Sequence, residues 1–283
     1  MPAGFVVVNP EDYVTDGIVI QKVSNGNQYV WIPCTTDSSD TSKLQYQRTE
    51  WRVEADHDTL ASKDELTLTD VSVTYTTTDT ENGINATVSA EIVAQINSEK
   101  TSIQQYRGYY IGRYETGKSN NTAVIQQNVE PYAEIKWSVA YSLAKGIDVG
   151  STANSYLCSS YAWDTAINFI QNNTTWTNYA SSRENTNDNW LDKEVVDVNG
   201  GVIKEAGTST RLKTGLTTAK ANIYDMGGNV GEFTTEINPE TGESVVLRGG
   251  NYSDSTNPAG TRWDDPPTAT STYYGFRTTL FLK

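Results

Sequence analysis

The sequence predicts an α+β domain, and two observations lead to this fold class. Short runs rich in valine, isoleucine, tyrosine and tryptophan are separated by glycine, asparagine, aspartate and serine, which is the pattern of strands joined by turns. Three other segments carry apolar residues at the spacing of an amphipathic helix. Strands and helices in one chain of 283 residues, with no internal repeat, indicate an α+β arrangement.

The first predicted element is a β-hairpin. Gly17–Ile20 and Gln28–Pro33 are strand-like, and Ser24–Asn27 forms the turn between them. Asn25 and Gly26 both tolerate the positive φ of a type I′ turn. Residues 35–88 are rich in threonine and aspartate, with one alternating stretch at Val71–Tyr75, so we interpret them as a polar insertion without a core of its own.

Three helices follow from the apolar spacing. The first spans Ser89–Ile103, with Ser89 expected to cap its free N–H groups. The second places Trp137, Ala140, Tyr141 and Ala144 on one face and ends near Gly146, and the third does the same with Trp163, Ala166, Ile167 and Ile170. Residues 173–221 have no sustained period, so we expect long surface loops with one short strand pair. The last strands are predicted at Val230–Thr235, Val245–Arg248 and Phe276–Leu282.

Composition excludes several classes of function. The net charge of -14 and the lack of any basic run disfavour nucleic acid as a partner. No apolar run approaches the roughly 20 residues that span a bilayer, so we expect no membrane insertion. The first residues lack the basic start and apolar stretch of a secretory signal. Cys34 and Cys158 are predicted to be free core cysteines, because two cysteines cannot support a disulfide-rich scaffold.

A set of ordered motifs covers nearly the whole chain. They are Val30–Pro33, Tyr109–Glu115, Trp137–Tyr141, Tyr161–Asp164, then NIYDMGGNVGEF at 222–233, VLRGGNY at 246–252 and GFR at 275–277. In these motifs the chain resembles the formylglycine-generating enzyme (sulfatase-modifying factor) family. The resemblance implies a single C-type-lectin-like domain over residues 1–283, with little regular secondary structure. We interpret the glycines of Gly227-Gly228 and Gly249-Gly250 as sites of tight backbone paths, and Arg277 as a loop anchor through its five donors.

The resemblance does not extend to the family's catalytic groups. Oxidase members use two cysteines shortly after the motif matched by Arg248–Gly250 to bind copper, and the segment from Asn251 to Tyr274 contains none. The related iron-dependent sulfoxide synthases need several histidines, whereas His57 is the only histidine in this chain. That histidine lies near no nucleophile motif, so a Ser/His/Asp triad is also unsupported. The acidic pairs Asp264-Asp265 and Glu232 with Glu236 leave a glycosidase as a remote alternative.

Calcium is the one cofactor that the resemblance suggests, as a structural ion and not as a requirement. Family members often bind it through the segment matching Gly228–Glu232, where Asn229 and Glu232 offer hard oxygen ligands. Gly231 departs from the family, which usually has tryptophan at this position. Trp263-Asp264-Asp265 is similar to the Trp-Asn-Asp of sugar-binding C-type lectins, but no Glu-Pro-Asn-like partner precedes it.

The segment between Gly250 and Gly275 has a biased composition. Sixteen of its 24 residues are asparagine, serine, threonine, aspartate or tyrosine, and lysine, glutamate, glutamine and histidine are absent. Antibody paratopes have a similar composition, because rigid aromatic rings supply area and small polar groups supply adaptable hydrogen bonds. The segment also resembles the variable region of diversity-generating retroelement target proteins, in which adenine mutagenesis scatters these residue types over a ligand surface. Trp263 does not arise by that route.

These observations predict a non-catalytic protein that binds a protein or glycan ligand on a cell surface, and that is carried by a virion or a bacterial surface. The expected ligand-contacting residues are Tyr252, Ser253, Asp254, Thr256, Asn257, Thr261, Trp263, Asp264, Asp265, Thr270, Thr272, Tyr273 and Tyr274. The alternatives are a metal-dependent oxidoreductase of the same family and a structural virion component whose segment 251–274 packs against a neighbouring subunit.

Overall fold

The computed structural model describes residues 1–49, 51, 86–172, 175–184, 186–237 and 244–283. Helices and short strands alternate along these residues, which confirms the α+β prediction. His57 and the alternating stretch Val71–Tyr75 lie outside the described residues, as does most of the predicted insertion at 35–88. The division of the chain into one domain with this insertion stays a prediction.

Three α-helices are present in the described part of the chain: α1 (Ala86–Tyr106), α2 (Trp137–Gly146) and α3 (Ser160–Gln171). The predicted apolar faces of α2 and α3 are buried as expected. The prediction for α1 was wrong at its start, because the helix begins at Ala86 and Ser89 lies within its first turns instead of capping it. None of the helices in the described ranges is both long and apolar enough to span a bilayer.

The larger sheet has six strands and joins the two ends of the chain. Its order is β1-β2-β3-β4-β15-β8, and the strands are β1 (Phe5–Val7), β2 (Val19–Lys22), β3 (Gln28–Pro33), β4 (Gly108–Gly112), β15 (Thr278–Leu282) and β8 (Ala153–Leu157). The predicted hairpin is confirmed as β2 and β3, but its turn is not of type I′. A type I′ turn needs a positive φ at both central residues, but of Asn25 and Gly26 only Gly26 has one, of 75°. The Gly26 N–H donates to the Lys22 carbonyl over 2.8 Å, which closes a longer loop.

A second sheet of four strands carries the C-terminal motifs. Its order is β13-β12-β11-β14, and the strands are β11 (Gly231–Ile237), β12 (Val245–Arg248), β13 (Arg262–Asp265) and β14 (Tyr274–Phe276). Strand β13 lies inside the biased segment and was not predicted, because arginine, tryptophan and two aspartates give no alternating pattern. Two smaller sheets contain β5 (Gly117–Ser119), β6 (Thr122–Val124) and β7 (Glu130–Pro131), and β9 (Val195–Val196) with β10 (Val202–Lys204).

The core consists of two apolar clusters. One packs α2 against β11, β12 and β14, and the other packs α3 against β3 and β4. Cys34 and Cys158 are buried free thiols in the second cluster, as predicted.

The region 173–221 is less superficial than predicted. It contains the expected strand pair, β9 and β10, but Trp190, Asp188 and Lys220 are all buried. The Lys220 ammonium donates to the Asp188 carboxylate over 2.6 Å, and this pair lies beneath the rings of Trp176 and Tyr179. The prediction of surface loops was wrong for these residues, because charge composition does not reveal a buried pair.

Candidate ligand-binding surface

Arg248 lies at the base of the segment 251–274 and is fully buried. Its guanidinium donates to the Asp164 carboxylate over 2.7 Å and to the carbonyls of Thr261 and Gly260 over 3.0 and 3.3 Å. The two carbonyls belong to the turn that leads into β13. A single buried arginine therefore ties α3 to both β12 and the chain before β13, and a bidentate planar group suits this role.

Arg262 makes the matching contacts from β13. It donates to Asp164, to Glu236 over 3.3 Å and to the Thr49 carbonyl over 3.0 Å. Burial acts to raise the pKa of Glu236, but the charges of Arg262, Arg48 and Arg248 outweigh it and hold this pKa at about 2. The carboxylates of Asp164 and Glu236 are thus shared between two arginines, and this ion-pair network fixes the position of β13.

Gly249 and Gly250 continue from Arg248 with φ values of 92° and 70°. A Cβ atom on Gly250 would lie 2.4 Å from the Trp190 ring, and one on Gly249 would lie 2.8 Å from the Met226 carbonyl oxygen. Both positions therefore require glycine, as predicted.

Arg277 closes the other end of the segment. Its guanidinium donates to both oxygens of Glu232 and to the carbonyls of Gly112, Tyr224 and Asp225. The shortest of the contacts with Glu232 is 2.6 Å, and both side chains are buried. Arg277 is therefore the loop anchor that the sequence predicted.

The two ends of the segment meet at a pair of tyrosines. The rings of Tyr252 and Tyr273 lie 5.2 Å apart, and the Tyr252 hydroxyl donates to Thr272 Oγ1 over 3.0 Å. Tyr252 is mostly buried, whereas Tyr273 is 37% exposed. Tyr252 supports Tyr273 from below, and Tyr273 presents its ring to solvent.

A second group forms around Trp263 on β13. Its indole lies against Gly231 of β11, where an added Cβ would be 2.3 Å from Cη2. On the same sheet, the Tyr274 hydroxyl donates to Asp265, and the Tyr274 ring packs edge-on against Phe233 at 5.7 Å. Trp263 is partly buried, so it contributes to the core as well as to the surface.

The remaining predicted residues divide by exposure. Thr256, Thr270 and Thr272 are exposed, and Ser253, Asp254, Asn257, Asp264 and Asp265 are partly exposed. Thr261 is 1% exposed, so it lies beneath the surface and does not belong to the ligand-contacting set. Asp254 accepts hydrogen bonds from the backbone N–H groups of Thr256 and Asn257, over 2.9 and 3.1 Å, and so shapes the turn that presents them.

Two residues outside the predicted segment reach this surface. Ser209 Oγ lies 3.2 Å from Ser253 Oγ, and Arg211 donates to the Thr272 carbonyl over 3.1 Å. Nothing in the sequence predicts these contacts. Residues 207–211 lie well before the segment in the chain, and apart from one arginine they are glycine and small polar residues.

Comparison with known proteins identifies the family. The model for the sulfatase-modifying factor enzyme 1-like domain matches residues 99–280. The chain belongs to this family. The resemblance drawn from the motifs is therefore confirmed, together with the C-type-lectin-like fold that it implied. No curated protein matches the sequence.

The chain is similar to several solved structures. CarF is 14% identical, and PvdO from Pseudomonas aeruginosa is also 14% identical. CarF has a TM-score of 0.42 over 62% of this chain and 87% of its own, and PvdO has 0.38 over 62% and 81%. Treponema denticola variable protein 1 is 18% identical with a TM-score of 0.30, over 67% of this chain and 68% of its own. The P3c variant of the major tropism determinant is 14% identical with a TM-score of 0.31, over 62% and 51%.

The departure from the family at Gly231 has a structural reason. Trp263 comes from β13 and places its indole in the space that a large side chain on Gly231 would fill. An aromatic ring is therefore still present at this point of the sheet, but it belongs to the segment 251–274.

The calcium ligands suggested by the family resemblance do not fit a cation here. The Asn229 amide oxygen accepts hydrogen bonds from Asn189 Nδ2 and Leu212 N, both over 2.9 Å, and its nitrogen donates to Glu115 over 2.6 Å. Both oxygens of Glu232 are bound by Arg277, as described above. Across the described residues, no group of three or more histidine, cysteine, aspartate or glutamate side chains is arranged to hold a metal ion.

Proposed function

We propose that this protein is a non-catalytic member of its family and that it binds a partner through the surface formed by residues 251–274. The observation that carries the proposal is the closure of this segment on itself. Arg248 and Arg277 fix its two ends, and the Tyr252–Tyr273 pair joins them over a ring separation of 5.2 Å. Small polar groups and aromatic rings are thereby presented together on a buried, charged support.

The lack of the oxidases' cysteines in this segment supports a non-catalytic role. Those enzymes need thiolates near the motif that corresponds to Arg248–Gly250, and residues 251–274 have none. Burial raises the pKa of both Cys34 and Cys158 well above the usual range for a thiol, which disfavours the thiolate that copper requires.

The composition of the segment, and its resemblance to the variable regions of retroelement target proteins, support the proposed partner and setting. A tyrosine-, serine-, threonine- and asparagine-rich surface can change its specificity by substitution while the support stays the same. We infer that the segment is diversified by a retroelement, and that the protein displays it on a virion or bacterial surface to bind a receptor. A near-copy of the coding segment beside a reverse transcriptase gene would support the diversification.

Binding to intact bacterial cells tests the function. We expect Tyr273→Ala to weaken the binding of the purified protein about tenfold, roughly 1.4 kcal/mol, because aromatic side chains are typical hot spots of interfaces. Tyr13→Ala is the control, since Tyr13 is also an exposed tyrosine, at 75%, and belongs to the N-terminal region and not to residues 251–274.

Equal binding by wild type and Tyr273→Ala across a cell panel that wild type recognises would contradict the proposal. Stoichiometric copper or iron in the purified protein would instead favour the oxidoreductase alternative.

A further inference from the structure

Residues 207–211, here the flanking loop, adjoin the surface at two separate points. Ser209 Oγ lies 3.2 Å from Ser253 Oγ, near the start of the segment 251–274. Arg211 donates to the Thr272 carbonyl over 3.1 Å, near its end. The loop thus spans the place where the two ends of the segment meet, and it contacts Ser253 and Thr272, which are the chain neighbours of the paired Tyr252 and Tyr273.

The flanking loop is held by buried groups although it has no regular secondary structure. The Gly207 N–H donates to the Leu191 carbonyl over 2.7 Å, and Asn189 Nδ2 donates to the Thr210 carbonyl over 3.0 Å. Asn189 is fully buried, and the side chains of Thr208, Ser209 and Thr210 are exposed. A loop whose backbone is fixed while its side chains face solvent has little conformational entropy to lose on binding.

One further bond joins this support to the surface itself. The Leu191 N–H donates to the Asp254 carbonyl over 2.9 Å, so the residue that holds Gly207 also holds the turn at Asp254. The flanking loop and the segment 251–274 are therefore positioned by common neighbours. They form one continuous surface, which neither part forms alone.

The negative charge of the segment 251–274 restricts the kind of partner that it can bind. The segment 251–274 contains three aspartates and one arginine, and that arginine, Arg262, is turned inward toward Asp164 and Glu236. The segment therefore carries negative charge outward, on a chain whose net charge is -14. Complementary potentials favour association, and like potentials oppose it, so a polyanionic partner is disfavoured.

We propose that the flanking loop is the fixed half of the ligand-binding surface, and that the partner is a protein whose contacting face is neutral or basic. This inference rests on the proposed function. The flanking loop and the exposed part of the segment together approach the roughly 20 residues a side of a standard protein interface. Substitutions within 251–274 would then alter specificity, while Thr208, Ser209 and Arg211 contribute contacts common to every variant.

A displayed library of the full chain tests this inference. Thr256, Asn257, Thr270 and Thr272 are randomised, Ser253 and Tyr273 are kept, and binders are selected against lysozyme as a basic protein and ovalbumin as an acidic one. Ser209→Arg is then introduced into each binder, because an arginine there projects across the contact with Ser253. Val198→Arg is the matched control, since Val198 is 99% exposed in the turn between β9 and β10.

We expect more binders for lysozyme, and a loss of at least tenfold in affinity with Ser209→Arg but not with Val198→Arg. Thermal unfolding of both variants confirms that each stays folded. If binders lose affinity with Tyr273→Ala but keep it with Ser209→Arg, the flanking loop is not part of the surface and the proposed function stands. A majority of ovalbumin binders would overturn the charge argument. If neither protein yields binders, or if Tyr273→Ala leaves them unchanged, the proposed function itself fails.

Discussion

Buried charged residues in this protein fall into two kinds, those that face an opposite charge and those that do not. Asp164 and Glu236 are shared by Arg248 and Arg262, so their burial is compensated by close cations. Glu99 is fully buried with three neutral donors instead, namely Tyr46 Oη at 2.6 Å, Ser159 Oγ at 2.9 Å and Gln95 Nε2 at 2.8 Å. The arginines hold the pKa of Glu236 at about 2, whereas burial raises the pKa of Glu99 to about 7, so these two carboxylates change the stability with pH in opposite directions.

Glu99→Gln is expected to remove a pH dependence of stability. Burial raises the pKa of Glu99 from 4.5 to about 7, although the three hydrogen bonds act to lower it. Because the folded state holds this proton more tightly than the unfolded state, the stabilisation is complete below pH 4.5 and is lost as pH rises through 7. The wild type should therefore lose on the order of 3 kcal/mol of unfolding free energy relative to Glu99→Gln between pH 5 and pH 8.

Urea unfolding of both proteins at several pH values measures this difference. The other buried carboxylates are common to the two proteins and cancel. Parallel pH profiles for wild type and Glu99→Gln would show that Glu99 does not keep its proton in the folded state.

Among the elements, β13 holds the segment 251–274 against the rest of the fold. Its inward residue, Arg262, bonds to α3 through Asp164, and its neighbour Trp263 covers Gly231 of β11. Alternate residues of a strand face opposite sides of its sheet, so a single short strand supplies both the anchor and part of the surface. A long loop at this place would leave Trp263 and Asp265 without a fixed position.

Gly231→Ala tests the packing of β13 on β11. The new Cβ would lie 2.3 Å from Trp263 Cη2, so the indole must move, and we expect a loss of about 1–3 kcal/mol in unfolding free energy. Trp263→Ala alone also destabilises, because it leaves a cavity. In the double variant the clash is absent. The sum of the losses in unfolding free energy of the two single variants should therefore exceed the loss measured for the double variant.

Denaturant unfolding of the four proteins completes this double-mutant cycle. Simple additivity of the two substitutions would mean that Trp263 does not lie against Gly231.

In the molecule as a whole, a buried ion pair and a hydrogen-bonded asparagine join distant segments of the chain. Arg277 joins Glu232 of β11 to the carbonyls of Gly112, Tyr224 and Asp225, which come from two separate parts of the chain. Asn229 likewise links residues from distant segments, through Glu115, Asn189 and Leu212. The segment that was expected to bind calcium is therefore already held together by side chains.

Calcium removal should have little effect on stability. We expect the unfolding temperature to change by less than about 1 °C between excess EDTA and millimolar calcium, because a ligand stabilises a protein only if it binds the folded state. Differential scanning calorimetry measures the shift, with magnesium as the control cation. A rise of several degrees with calcium alone would place a cation site in the protein.

Much of the fold could be predicted from the sequence, where the signal was local. The faces of α2 and α3 followed from apolar spacing, and the glycines at 249 and 250 followed from the motif around Arg248. The start of α1 was misplaced, because Ser89 is buried within the helix although serine is a preferred cap residue. Strand β13 was missed, because its pairing with β12 comes from the sheet and not from its own residues.

The sequence by itself determined the family, the anchor at Arg277 and the lack of cysteines in 251–274, because each is a property of residues near one another in the chain. Only the tertiary structure decided which residues of this segment are exposed. Thr261 and Ser253 belong to the same composition class, yet one is buried under Arg248 and the other contacts Ser209. Composition reports how many polar groups a segment has, whereas exposure depends on contacts between segments far apart in sequence, and those form only when the chain folds.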